Sequence, residues 1–172
     1  MDDTPTDPLV ARLVEASEIH GDFVLSSGRR SSVYFDKFRF LTRPDLLREL
    51  AGAVAKLLPA GTDHLAAPEG AATLLVAAVS LETGLPVAVV RKEAKAYGTM
   101  SQVEGYAPAG ARVALLEDVS TTGHQVLAAA KALEASGAHV TRIVLAIDRG
   151  GADHLREAGY DVAAVAVLRP VG

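Results

Sequence analysis

Cysteine is absent from the 172-residue sequence. Its absence excludes disulfide crosslinks and thiolate chemistry, and it accords with a reducing compartment. Long apolar runs are missing too, and none approaches the roughly 20 residues of a membrane-spanning helix. The first residues, Met1-Asp2-Asp3-Thr4, are acidic and lack the basic and then apolar pattern of a secretory leader. A cytoplasmic location is therefore expected. Nor is positive charge in excess: 17 Lys and Arg face 21 Asp and Glu, for a formal net charge of −4. That balance argues against a general nucleic-acid binder, although basic residues gather locally at Arg29-Arg30 and at Arg91-Lys92 with Lys95. No internal repeat or low-complexity linker divides the chain. With 49% hydrophobic residues it is long enough for one sizeable core, so a single domain over residues 1–172 is expected.

What is present falls into two parts. Over about residues 8–40, helix-like spacing at Leu9, Val10, Leu13 and Val14 precedes a β-rich stretch. This stretch comprises Phe23–Ser26 and Val33–Asp36, with a turn at Ser27-Gly28-Arg29-Arg30. It precedes the regular pattern and is expected to form a small hood outside the main sheet. Pro44 then opens a helix expected to run through Leu58, a first-turn position where its missing N–H costs nothing. Over about residues 60–168, apolar strands alternate with helices. The expected strands are His64–Ala67, Pro86–Val90, Val113–Leu116, Val140–Ile147 and Val162–Val167. The expected helices are Ala72–Thr83, Gly123–Ser136 and a short one near Ala152–Ala158. Such alternation predicts the α/β class, with a central, mostly parallel sheet flanked by helices and right-handed crossovers. The stretch Arg91–Ala111 shows no periodicity and is long for a plain connection, so a lid or arm is expected there.

The most informative segment is Val113 to Gln125. An apolar strand runs into Glu117 and Asp118, then Val119, Ser120, Thr121, Thr122 and Gly123, and then a helix beginning near His124 and Gln125. Ligands of open α/β sheets bind at the carboxyl ends of strands, and a helix N-terminus offers free N–H groups to an anion. Thr121 and Thr122 add hydroxyl donors, and Gly123 lets the backbone approach closely. Acids beside a phosphate cradle make sense if they accept from sugar hydroxyls, so a ribose 5-phosphate matches both halves. A single Thr here is as readily a helix cap; the whole run is not. No Gly-Lys-Ser/Thr follows, so this is not a nucleotide P-loop.

Glu117-Asp118-Val119-Ser120-Thr121-Thr122-Gly123 resembles the phosphoribosyl pyrophosphate (PRPP) motif of the type I phosphoribosyltransferases. Three further segments resemble orotate phosphoribosyltransferase: Leu25 to Asp36, Arg91 to Gly98, and Asp148-Arg149. The likeness spans about residues 8–168 in the family's order. It implies a type I phosphoribosyltransferase-like fold and transfer of ribose 5-phosphate from PRPP to orotate, with Mg²⁺ as cofactor held mainly through PRPP rather than by a metal site of the protein. It further implies a homodimer in which the catalytic loop is shared between subunits, with Lys92 making the trans contact.

Under that resemblance, Arg91, Lys92, Lys95 and Asp118 are the expected catalytic residues, since pyrophosphate departure calls for positive charge. Glu117 through Gln125 and Tyr97 join them in binding PRPP. Thr121, Arg149, Tyr34 and Phe35 face the base, with Arg149 positioned for a bidentate clamp on the orotate carboxylate. The sequence departs from the family at four places. Tyr97 stands where many members carry His, and Ser26 where many carry Lys. His124 either donates to the 5-phosphate or crowds it. Ala71 and Ala72 stand where the pyrophosphate loop is expected to have Gly, so that loop takes another shape or binds more weakly. His20, His64, His124, His139 and His154 show no metal-ligand spacing. A related transferase for another base and a non-catalytic PRPP-binding or nucleotide-binding paralogue are the alternatives.

Overall fold

The computed structural model describes residues 7–24, 28, 30–93, 101–105 and 109–168. Helix α1 (Pro8–Ser17) starts where Asp7 accepts from the Leu9 N–H at 2.8 Å and Pro8 occupies the first turn. Strands β1 (Glu18–Val24) and β2 (Arg30–Phe35) follow as an antiparallel pair with a register shift between His20 and Phe23. They form a two-stranded sheet of their own, so the expected hood is present, and it begins earlier than Phe23. A short helix missed in the sequence, α2 (Phe38–Leu41), buries Phe40 and Leu41 in the core and anchors the end of the hood.

Helix α3 (Pro44–Ala55) is shorter than expected. Beyond Ala55 the Leu57 N–H bonds to Val54 O and the Leu58 N–H to Ala55 O, so the last turn tightens and the apolar spacing continues without the α-helix. The main elements then follow in order: β3 (His64–Pro68), α4 (Ala72–Thr83), β4 (Val87–Val90), β5 (Val103–Gly105), β6 (Arg112–Ser120), α5 (His124–Ala135), β7 (His139–Asp148), α6 (Gly151–Glu157) and β8 (Val162–Val167). They build a six-stranded sheet in the order β5-β4-β3-β6-β7-β8, parallel except where β5 pairs antiparallel with β4. The α/β expectation holds.

Strand β5 corrects the reading of Arg91–Ala111 as wholly aperiodic. It ends at Gly105, whose φ is +91° and whose position would set a Cβ 2.7 Å from Val87 O, so glycine is required where the returning chain meets β4. Strand β6 also runs further than its apolar stretch, because β7 pairs with it as far as Ser120. One face of the sheet packs on α1, α2, α3 and α4, the other on α5 and α6. From β3 the chain moves outward to β4, and from β6 it moves the opposite way to β7 and β8. The crevice above the β3 and β6 carboxyl ends is therefore the topological switch point where α/β sheets take ligands. Among the described residues no helix is long and apolar enough to cross a membrane.

Leu116 is fully buried in the β6 layer facing α3 and α4. Leu116→Ala is expected to lower the unfolding free energy by about 2–5 kcal/mol, measured by urea denaturation. A loss under about 1 kcal/mol would contradict this packing.

Candidate active site

Because β6 continues through Ser120, Glu117 and Asp118 are strand residues, with only 6% and 0% of their surface exposed. Alternation along the strand sends them to opposite faces. Burying two adjacent carboxylates is unfavourable unless each is bonded or neutralised. Asp118 Oδ1 meets Lys37 Nζ at 2.9 Å and accepts from the Val119 N–H. Asp118 Oδ2 is buried and has no partner among the described residues. Glu117 accepts from the Asp118 N–H at 3.1 Å. Burial first, and then the neighbouring Asp118 charge, push the Glu117 carboxyl up to about 8, while Lys37 pulls it the other way. Near neutral pH Glu117 is thus a neutral acid beside its partner, and one oxygen of Asp118 is left to accept from a ligand hydroxyl.

The phosphate loop follows directly. Thr121 and Thr122 are exposed at the entrance to α5, and Gly123 takes a left-handed φ of +78°. A Cβ on Gly123 would lie 2.7 Å from Gly151 O, so the glycine serves both the turn and the close approach of α6. Asp148 fixes that approach by accepting from the Gly150 and Ala152 N–H groups, and the Arg149 N–H donates to Ser120 O at 2.8 Å. His124 is exposed and packs its ring on His154, with centroids 4.8 Å apart. Gln125 is exposed beside it.

At the end of β7 the Arg149 guanidinium lies over the Phe35 ring, 4.8 Å from its centroid. Tyr34, partly exposed, packs on Phe23 within the hood. The hood therefore meets the carboxyl ends of the central strands twice, through Phe35 with Arg149 after β7 and through Lys37 with Asp118 on β6.

The base of the basic segment is held firmly. Gln102 donates to the carbonyls of Arg91 and Lys92, and the Lys92 N–H donates to Glu69 at 2.9 Å. Arg91 and Lys92 line a cavity of about 330 Å³ with Pro68, Gln102, His124 and Gln125, which joins the basic segment to the phosphate loop. Lys95 and Tyr97 lie outside the described residues, as does Ser26. The turn after β3 places its left-handed residue ahead of the two alanines. Gly70 carries the positive φ, +113°, while Ala71 is right-handed at φ −66° and Ala72 opens α4. Lys37, Glu69 and Gln102 were missed in the sequence. Lys37 follows the Leu25–Asp36 segment, while Glu69 and Gln102 lie inside the pyrophosphate-loop and Arg91–Ala111 segments without being singled out; all three reach their partners only through the fold, across 81 positions in the case of Lys37 and Asp118.

A mostly parallel sheet with a phosphate loop and paired acids at its switch point defines a phosphosugar-handling enzyme. The chain belongs to the phosphoribosyl transferase domain family, which matches residues 40–165. It is 42% identical over 160 residues to the orotate phosphoribosyltransferase of Thermococcus gammatolerans, covering 90% of this chain and 85% of that one. Its fold matches Mycobacterium tuberculosis orotate phosphoribosyltransferase in complex with Fe(III) dicitrate, with a TM-score of 0.84 and 28% identity, over 93% of this chain and 94% of that one. The same enzyme in complex with PRPP gives a TM-score of 0.79 and 25% identity, over 93% and 94% of the two chains. The chain is accordingly a pentosyltransferase.

The Glu117 carboxyl supplies a test of the site's electrostatics. Its pKa rises from about 4.5 to about 8 on folding, so the folded state tolerates it as the neutral acid and loses stability as pH climbs through that window. Glu117→Gln removes the ionisation. The melting temperature of the variant relative to the parent, without ligand, should increase between about pH 5 and about pH 9. A constant difference would show that Glu117 titrates normally.

Proposed function

We propose that this chain transfers ribose 5-phosphate from PRPP to orotate, giving orotidine 5′-monophosphate and pyrophosphate in pyrimidine biosynthesis. The observation that carries the choice of base is Arg149, held over Phe35 at the strand end next to the acids. A fixed guanidinium on an aromatic platform suits a planar base bearing a carboxylate. Relatives named orotate phosphoribosyltransferase support the same reading.

In this reading Asp118 Oδ2 accepts from a ribose hydroxyl, and neutral Glu117 completes the polar lining beneath the sugar. Ser120, Thr121, Thr122, Gly123, His124 and Gln125 take the 5-phosphate at the N-terminus of α5, where unpaired N–H groups and the helix dipole favour an anion. Thr121 also reaches toward the base, with Tyr34 and Phe35 beside it. The N1–C1′ bond forms as the C1′–O bond to pyrophosphate breaks, and the N1 proton leaves to solvent. Arg91, Lys92 and Lys95 meet the charge building on pyrophosphate, with Tyr97 as a further donor. Mg²⁺ held through PRPP would supply further positive charge to the leaving pyrophosphate, beside Arg91, Lys92 and Lys95. Among the described residues no group of three or more acidic or histidine side chains is placed to hold a metal ion. The reading of a non-catalytic paralogue rested on Ala71, Ala72 and His124; for the two alanines, Gly70 carries the positive φ that they lack.

The working unit is a cytoplasmic homodimer of single-domain chains, with Lys92 serving the partner's site. Support comes from α4. Its inner face is core, yet Leu74, Ala77 and Leu81 are exposed in a second apolar stripe at helical spacing, Leu81 by 89%. The next element, β4, leads straight to Arg91.

Steady-state kinetics with orotate and uracil test the base assignment. Arg149→Ala should raise the KM for orotate by about a hundredfold, as expected when one partner of a buried charge pair is lost, and leave the KM for PRPP nearly unchanged. Uracil, lacking the carboxylate, should be a poor substrate of both proteins. Equal losses for both bases would make Arg149 structural, and a parent that ignores orotate would overturn the proposal. Mixing inactive Lys92→Ala and Asp118→Asn chains should restore part of the orotate activity, because a hybrid dimer holds one intact site. No recovery despite demonstrated subunit exchange would contradict the shared loop.

A further inference from the structure

We infer that Lys37 is a positioning residue for PRPP: by holding Asp118 Oδ1 it presents Oδ2, and only Oδ2, to the ribose. This rests on the reading of Asp118 as the ribose acceptor and adds to the site a residue outside every motif in the sequence. Three observations carry it. The Asp118 side chain is wholly buried, and its two oxygens differ completely. Oδ1 is occupied by Lys37 Nζ at 2.9 Å and by the Val119 N–H, whereas Oδ2 is buried with no partner among the described residues. Without the ammonium only the Val119 N–H holds Oδ1, so the carboxylate rotates more readily about its terminal bond and shares its oxygens differently, since that torsion is broad.

Lys37 is also built to stay in place. Its carbonyl accepts from the Phe40 and Leu41 N–H groups at the start of α2, and both of those side chains are buried in the core. The lysine stem is consequently fixed at one end, with the head reaching across to β6. Its charge acts on Glu117 as well as on Asp118. Lys37 follows Phe35 by two residues, so one segment of the hood carries both the ring under Arg149 and the counter-charge of Asp118. Displacing the hood would disturb both subsites together.

Calorimetric titration of PRPP with Mg²⁺ into parent, Lys37→Met, Lys37→Arg, Asp118→Asn and the Lys37→Met/Asp118→Asn double variant tests the inference, with melting temperatures recorded alongside. Lys37→Met should weaken PRPP binding by about tenfold or more, the range for a hydrogen bond to a charged group, and Lys37→Arg should restore most of it. In the Asp118→Asn background, already weak, Lys37→Met should add almost nothing, because the lysine acts through the carboxylate. A merely structural lysine would lower the melting temperature and give the same factor in both backgrounds. Independent losses of that kind, or Lys37→Met binding PRPP like the parent, would overturn the inference. If Asp118→Asn itself binds PRPP like the parent, the ribose role of Asp118 falls first. Should Lys37→Met fail to fold, Lys37→Gln takes its place, keeping a donor but not the charge, and the same criteria apply.

Discussion

A carboxylate with no exposure to water must be compensated, and Asp118 is compensated on one oxygen only. That asymmetry organises the site. Lys37 and the Val119 N–H satisfy Oδ1, while the adjacent Glu117 avoids a second buried charge by holding its proton to about pH 8. A raised Glu117 carboxyl favours its neutral form, which limits the pair's repulsion of a polyanionic substrate. Two ionised acids at this depth would repel both each other and the phosphates.

The same constraint explains why the hood belongs to the active site although it shares no strand with the main sheet. Its sheet has two strands only, too few to be stable alone, and it is fastened by α2 and by polar contacts. Phe35 supports Arg149 and Lys37 neutralises Asp118, so the groups proposed to meet the base and the sugar both depend on one short stretch of chain. At the opposite rim, Gln102 and Glu69 grip the backbone of Arg91 and Lys92, which fixes where the basic loop departs.

The alternation of apolar strands and helices made the α/β core legible in the sequence, and the run from Glu117 to Gly123 marked the ligand end of the sheet. What stayed hidden has physical reasons. Strand β5 is three residues long, lies at the sheet edge and ends in glycine, so it leaves no periodic signal. Strand β6 continues past its last leucine because pairing with β7, rather than side-chain hydropathy, sets its end. Ala71 and Ala72 stand where glycines were expected, but the unusual backbone angle falls one residue earlier, at Gly70. Lys37 could be seen only after folding, since a salt bridge between segments 81 positions apart leaves no local pattern.

The most direct measurement is the structure of the chain in complex with PRPP and Mg²⁺, read at one atom. The account predicts a ribose hydroxyl within about 3.2 Å of Asp118 Oδ2, with Lys37 Nζ still on Oδ1 and the 5-phosphate on the N–H groups that open α5. A ribose whose hydroxyls bond elsewhere, with water on Oδ2 or with Lys37 swung away from the carboxylate, would contradict it.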